Sequence, residues 1–181
     1  MRLRLRLLIV IVVALLRSRI ETCSASWISI RVLPNDVDLL HVSNDRYLAY
    51  FDLGRNDLVI RIGMLSGMLR LAAHPVVKTL SVRYRHRARL FQSLQLRTRI
   101  VCWDHEAVWF EQELFAHERS IALAYCHAAL ITKAGIARVD DAITAARSTA
   151  ASPEAPAFVR NLQSLSVQMQ LAQREQPCHA T

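Results

Sequence analysis

An α+β fold is the class this sequence predicts: one long helix followed by a run of antiparallel strands, with the sheet able to curl around the helix. Three observations predict it. Apolar residues at helical spacing, Tyr47, Phe51, Leu58, Ile62, Leu65 and Leu69, follow directly on a turn rich in acids and capping residues. Four later segments, 76–89, 93–103, 108–117 and 121–133, each alternate with period two. Short linkers join them, Asp104-His105-Glu106 in one place and Glu118-Arg119-Ser120 in another, so the strands are expected to be antiparallel neighbours. The length of 181 residues suits one domain, and a hydrophobic content of 52% argues against disorder.

Residues 1–20 read as a leader. Met-Arg-Leu-Arg-Leu-Arg precedes ten uncharged residues, Leu7 to Leu16, which is the basic-then-apolar order of a signal peptide or membrane anchor. A spanning helix needs about 20 apolar residues, so an interfacial helix held by its arginines and leucines, or a signal sequence, fits better than a span. Arg17 and Arg19 favour retention on the cytoplasmic side, and 20–25 is a poor processing site. The expectation is a cytoplasmic protein, peripheral to a membrane surface through the leader; a cleaved signal and a core helix are the alternatives.

Residues 24–135 are expected to form the body. In 27–33, Ile28, Ile30 and Val32 alternate with Ser29 and Arg31, a half-buried strand ended by Pro34. The helix is expected from about Asn44 to near Leu71, with Asn44 or Asp45 as its N-cap and His74-Pro75 closing it. Gly54 lies inside it, and because a mid-helix glycine costs about 1 kcal/mol against alanine, its presence suggests close packing on the sheet. In the strands, Val82, Tyr84 and Ala88 oppose Arg83, Arg85, Arg87 and Arg89, while Leu94, Leu96, Thr98 and Ile100 oppose Gln95, Arg97 and Arg99. Residues 136–181 are expected to be a helical extension: a helix over 139–151, a linker at 152–156 with Ser152 as a cap, and a helix over 157–174 that packs on the domain or reaches a partner.

A net charge of +8 indicates attraction to something anionic: nucleic acid, an anionic membrane or a ligand carrying phosphates. Nucleic acid is not expected, since no aromatics interleave with the arginines as a stacking platform. Cys23, Cys102, Cys126 and Cys178 are scattered, without a Cys-x-x-Cys pair or a histidine cluster, so no metal site or disulfide framework is expected. Cys102 and Cys126 read as small core residues. Four glycines build neither a phosphate loop nor a dinucleotide fingerprint, and no cofactor is expected. The run Gly63-Met-Leu-Ser66-Gly67 has the wrong order for a nucleophile elbow and falls within the expected helix.

The succession of strand, acidic turn, His41-Val42-x-Asn44-x-x-Tyr47, long helix and antiparallel strands resembles the hotdog-fold thioesterases of the 4-hydroxybenzoyl-CoA thioesterase-like superfamily. Within it the chain is most similar to the acyl-CoA thioesterase-like single-hotdog branch, which often begins with a short apolar leader. Leu-Pro-x-Asp-x-Asp at 33–38, Arg46-Tyr47-Leu48, Asp52-Leu53-Gly54-Arg55-x-Asp57-Leu58, Val82-Arg83-Tyr84-Arg85, and Trp103-Asp104 with Trp109-Phe110-Glu111-Gln112 carry the likeness. The resemblance implies hydrolysis of a fatty or aromatic acyl-CoA by a homodimer or tetramer with its pocket between protomers. It implies Asp38 as base or nucleophile, the N–H at Asn44 as oxyanion donor, and His41, Ser43 and Tyr47 as substrate-binding residues at the pocket mouth. A helix start suits such chemistry, because its free N–H groups and dipole stabilise the negative charge that develops on a thioester carbonyl.

The chain departs from the pattern in two places. Only Leu39-Leu40 separate Asp38 from His41, where the family usually has three residues, and Ser43 replaces the first of two asparagines. The alternative reading is a non-catalytic, membrane-associated hotdog module that binds acyl groups or acyl-CoA, its acidic turn serving only as a helix cap. Asp36 and Asp38 would then be ordinary turn residues, His41 a structural hydrogen-bonding group, and Asp52 and Arg55 an intrahelical pair. The arginines at 83, 85, 87 and 89, with Arg97 and Arg99, read either as a cradle for coenzyme A phosphates or as a solvated sheet face on which Arg97 and Arg99 pair with Glu111 and Glu113.

Overall fold

The alternating segments form one antiparallel sheet against which the long helix packs, in a computed structural model that describes residues 2–38, 40–146 and 149–175. The elements run α1 (Arg2–Leu16), β1 (Ser26–Arg31), a 3-10 turn (Pro34–Asp36), β2 (Val37–Asp38), β3 (His41–Val42), α2 (Asn44–Arg61), α3 (Met64–Arg70), β4 (His74–Tyr84), β5 (Ser93–Trp103), β6 (Ala107–Ala116), β7 (Arg119–Thr132), β8 (Gly135–Ala137), α4 (Val139–Ala145) and α5 (Ala157–Glu175). Strand order is β1-β5-β6-β7-β4, with β8 added to β7. β2 and β3 form a separate two-stranded ladder.

Alternation decides which residues meet α2. Ile28, Ile30, Leu94, Leu96, Leu114 and Ala124 are buried in one core with Tyr47, Tyr50, Phe51 and Leu53 of the helix. Gly54 fits the expectation of close packing, since a Cβ there would overlap the side chains of Thr98 and Leu96. Beneath it Gln112, fully buried, donates to the Phe51 carbonyl at 2.7 Å and accepts from Arg55 at 2.5 Å, so the polar groups under the helix are partnered rather than stranded. Arg55 also pairs with Asp52, the intrahelical alternative. Cys102 and Cys126 are buried, as expected of small core residues; Cys178 lies outside the described residues.

The expected helix over 44–71 is two helices. α2 stops at Arg61, and Gly63 takes φ +80°, a left-handed conformation that an L side chain resists, before α3 begins at Met64. The run Gly63–Gly67 therefore straddles a break instead of lying within one helix. Gly67 has its own role: a Cβ would strike the Ala142 backbone, so the glycine permits the close approach of α3 and α4.

The strand expected over 76–89 ends at Tyr84. The N–H groups of Arg85 and His86 both donate to the Ile121 carbonyl, at 2.8 and 3.2 Å, which closes the β4–β7 ladder. The chain then leaves the sheet, so Arg85, Arg87 and Arg89 do not share a strand face with Arg83. The helix expected over 139–151 stops at Ala145. Ser152 does not cap a helix; its hydroxyl donates to the Trp103 carbonyl at 2.6 Å and accepts from the Trp103 N–H at 2.8 Å, which ties the linker to the end of β5. α5 then lies on the sheet face turned away from α2, where Val159 is fully buried beside Val101, Cys102 and Trp109.

α1 packs against α2 and its connector is anchored there too, through the Ile20 N–H to the Arg61 carbonyl at 3.1 Å and through Arg17, 3.8 Å from the buried Asp57. Among the described residues no helix is long and apolar enough to cross a membrane.

Candidate functional site

The acidic turn is built around Asp36, not Asp38. Pro34 opens the 3-10 turn, and the Asp36 carboxylate accepts the Leu33 N–H at 2.8 Å while its carbonyl accepts the Ser43 N–H at 3.2 Å. Arg6 of α1 completes the arrangement, donating to Asp36 Oδ2 at 2.7 Å and to the Arg31 carbonyl at 3.1 Å, with its guanidinium 5.8 Å from the Tyr50 ring centroid. Asp36 is only 2% exposed. Burial acts against the Arg6 charge, but the hydrogen bond and charge of Asp36 outweigh it and hold the guanidinium protonated. Burial and then the Asp36 charge push the Tyr50 hydroxyl well above the usual tyrosine value. A buried ion pair therefore fixes the turn, leaving the second aspartate exposed.

The short spacing after Asp38 has a direct structural result. Asp38 and His41 are cross-strand partners in the β2–β3 ladder, which places their Cα atoms about 5 Å apart. His41 also bridges to Arg89 on its other side. α2 then begins at Asn44, and its N-cap is Ser43 rather than Asn44 or Asp45. Ser43 has the extended backbone of a cap, but its hydroxyl bonds the Asp45 carboxylate at 2.5 Å and no helix N–H. That hydrogen bond holds the Asp45 carboxyl below its usual range. Asn44 is the first helical residue, and its N–H belongs to the first turn, for which an α-helix supplies no internal acceptor.

Tyr47 is buried one turn further on, and its hydroxyl accepts the Ala88 N–H at 2.9 Å. Burial raises its pKa, with the Ala88 hydrogen bond opposing. The Ala88 carbonyl accepts the Val42 N–H at 3.0 Å, so the segment that leaves β4 is stitched to both the helix and the turn. Ala88 itself is fully buried, which turns Arg87 and Arg89 outward to either side.

A cleft of about 470 Å³ results, lined by all five residues read from the sequence, Asp38, His41, Ser43, Asn44 and Tyr47, together with Val42, Tyr84, His86 and Arg87. Beside it, sharing His41, His86 and Arg87, lies a cleft of about 980 Å³ whose further lining includes Arg89, Gln92, His117, Glu118 and Arg119. Glu118 is its one carboxylate, against three arginines and three histidines. Sequence reasoning marked the arginine run but not His86, His117 or Arg119, which come from a loop, the β6–β7 turn and the first position of β7 and carry no local pattern.

Arg97 and Arg99 take no part in these clefts. They lie on the face of the sheet turned away from α2, where Arg97 meets Glu111 at 3.2 Å and Glu113 at 2.8 Å and Arg99 meets Glu111 at 2.8 Å. The Tyr125 hydroxyl donates to Glu111 at 3.1 Å. Burial alone would raise the Glu111 pKa, but the hydrogen bond and charge of Arg99 bring it below the usual carboxylate range.

A family model for the thioesterase-like superfamily matches residues 32–161. Protein THEM6 of Xenopus laevis is 38% identical over 86 residues, which is 47% of this chain and 42% of that relative, and Protein THEM6 of Danio rerio is 40% identical over 83 residues, 45% of this chain and 41% of the relative. The chain thus spans less than half the length of these two relatives in the matched region. Among solved structures, a thioesterase complexed with coenzyme A and zinc from Thermus thermophilus superposes with a TM-score of 0.56 at 23% identity, covering 65% of this chain and 93% of that one. A DHNA-CoA thioesterase from Staphylococcus aureus gives 0.60 at 14% identity, covering 84% and 96%. At these identities the structural likeness carries the fold, and that fold is the hotdog the sequence resembles. With the family model spanning more than half of its residues, this chain belongs to the thioesterase-like superfamily.

Proposed function

We propose that the chain is an acyl-CoA thioesterase that acts on a fatty or aromatic acyl-CoA as a homodimer. One observation carries the reading: the cleft at the start of α2 gathers Asp38, His41, Ser43, Asn44 and Tyr47, and it opens into a neighbouring cleft lined by arginines. Asp38 serves as the base for an attacking water. It takes the proton as the water oxygen bonds to the thioester carbonyl carbon, and the N–H at Asn44 receives the resulting oxyanion. Collapse breaks the C–S bond, and the leaving coenzyme A thiolate takes up the proton held by Asp38, which restores the base. His41, directly across the ladder from Asp38, and Ser43 bind the substrate at the mouth, while the Tyr47 hydroxyl holds the Ala88 segment in place.

Arg87, Arg89 and Arg119 suit the phosphates of coenzyme A, since guanidinium groups bind phosphate oxygens in bidentate fashion. Coenzyme A is also the ligand of the thioesterase complex from Thermus thermophilus. The dimer reading is supported by β4, an eleven-residue strand at the sheet edge with Val76 and Val77 exposed, which offers unpaired backbone groups to a second copy.

The test is hydrolysis of a panel of acyl-CoAs by the full chain and by Asp38→Asn. Loss of a general base should lower kcat by about a hundredfold or more with coenzyme A binding retained. Turnover unchanged in Asp38→Asn would reject the role given to Asp38. Acyl-CoA binding without turnover in the unaltered chain would select the non-catalytic module, whose support is the shortened spacing between Asp38 and His41.

A further inference from the structure

The outer face of α1 reverses the usual pattern of a surface helix. Such a helix shows polar residues to water and apolar residues to the core. Here the single charge between Leu5 and Leu16, Arg6, points inward to Asp36, with Leu7, Val10 and Ala14 packed inward beside it. The seven exposed positions of the same stretch, among them Leu8, Ile9, Val12 and Leu15, are all apolar and are 44 to 82% exposed. This makes one apolar strip along the helix with no polar side chain among its exposed positions, the kind of surface that marks an interaction site.

Charge identifies what covers the strip. Arg4 lies at one end and Arg19 beyond the other, both exposed, while Arg17 between them already pairs with Asp57, and no acidic residue occurs before Glu21. A second copy laid on this face would bring arginines against arginines, whereas a surface of acidic lipid headgroups supplies counter-charges at both ends. The helix is also fixed in orientation. Its 15 residues are about 22 Å long, short of the roughly 30 Å hydrocarbon core of a bilayer. Standing it upright across a bilayer would withdraw Arg6 from Asp36. We propose that the outer face of α1 is a docking surface for an anionic lipid bilayer, with the helix lying in the plane of the interface while its inner face stays clamped to the domain. This goes beyond the thioesterase reading and does not depend on it.

The experiment is co-sedimentation of the full chain with phosphatidylcholine vesicles, with and without phosphatidylserine. Binding is expected to be about tenfold tighter with phosphatidylserine, to weaken as salt is raised, and to be released by alkaline carbonate. Leu8→Glu with Val12→Glu should weaken it by more than about tenfold, with circular dichroism and the unfolding midpoint unchanged because these side chains point away from the domain. Arg4→Glu with Arg19→Glu should remove the preference for phosphatidylserine. Equal binding by the unaltered chain and the Leu8, Val12 variant would overturn the proposal, as would failure to bind vesicles. Retention after carbonate would overturn it in favour of a spanning helix. A lipid-free oligomer dispersed by the Leu8, Val12 substitutions would assign the face to a second copy instead.

Discussion

Two groups of arginines in this molecule have opposite surroundings. Arg97 and Arg99 lie on paired strands, and the register sets Arg97 opposite Glu113 and Arg99 opposite Glu111, so each guanidinium finds a carboxylate at its cross-strand position. Arg87 and Arg89 sit where the chain has left the β4–β7 ladder and Arg119 is the first residue of β7, opposite Ala116, and none of them makes an ion pair among the described residues. The first group is neutralised within the chain. The second is left without a neutralising carboxylate among the described residues. The difference teaches that a basic stripe in a sequence carries no functional meaning until strand pairing is known, because pairing decides which charges are already answered.

Breaking the neutralised group should have the larger effect. Glu111 is 7% exposed and holds Arg97, Arg99 and Tyr125 together. Glu111→Ala removes the shared acceptor from all three and should cost about 2–3 kcal/mol, read in urea unfolding as a lower midpoint at unchanged slope. Next in size, Arg119→Ala should raise KM for an acyl-CoA about tenfold, which is about 1.4 kcal/mol of binding, with unfolding changed by less than about 0.5 kcal/mol. Arg99→Ala should do the reverse, losing about 1 kcal/mol of stability and leaving KM unchanged. If Arg99→Ala raised KM as much as Arg119→Ala, the division into neutralised and available arginines would fail.

The same contrast explains what the sequence discloses. The face alternation of 94–100 and 108–116 can be read because every second residue is buried on the α2 side, whereas the Arg–Glu register cannot be counted back from the hairpin, because a bulge between Ile100 and Cys102 shifts the pairing by one and brings Arg99 opposite Glu111 instead of Gln112. The departure of the chain at Tyr84 cannot be read, because period two continues through Arg89 while pairing stops at the Ile121 carbonyl, which Arg85 and His86 meet only once β7 has folded against β4. Gly63 is hidden in the same manner, since Leu65 and Leu69 continue the helical spacing across a glycine whose φ of +80° only the backbone reveals. The site residues share a cleft because all five fall within ten positions around one helix start, where local chemistry suffices. Arg6 and Arg119 come from distant parts of the chain, and nothing local in the sequence connects either to the turn.

The smallest expected effect is on acid stability, and it arises wholly within the neutralised group. Because the folded Glu111 pKa lies below the ordinary 4.5, the carboxylate contributes stability that is complete above pH 4.5 and is lost as pH falls through the folded value. Protonation removes the charge but keeps both oxygens and the packing, so the loss should be a fraction of that in Glu111→Ala. His127, stacked on Trp109 with ring centroids 4.5 Å apart and held low in pKa first by burial, adds a decline that begins nearer its ordinary 6.5. Glu111→Gln separates the two: its stability measured against pH should keep the decline below 6.5 and lose the part below 4.5. Arg119 makes no contact with Glu111 or His127, so the curve of Arg119→Ala should run parallel to that of the unaltered chain. A decline below pH 4.5 as steep in Glu111→Gln as in the unaltered chain would mean that Arg97 and Arg99 are not neutralised by Glu111 in solution, and the two groups of arginines would then be alike.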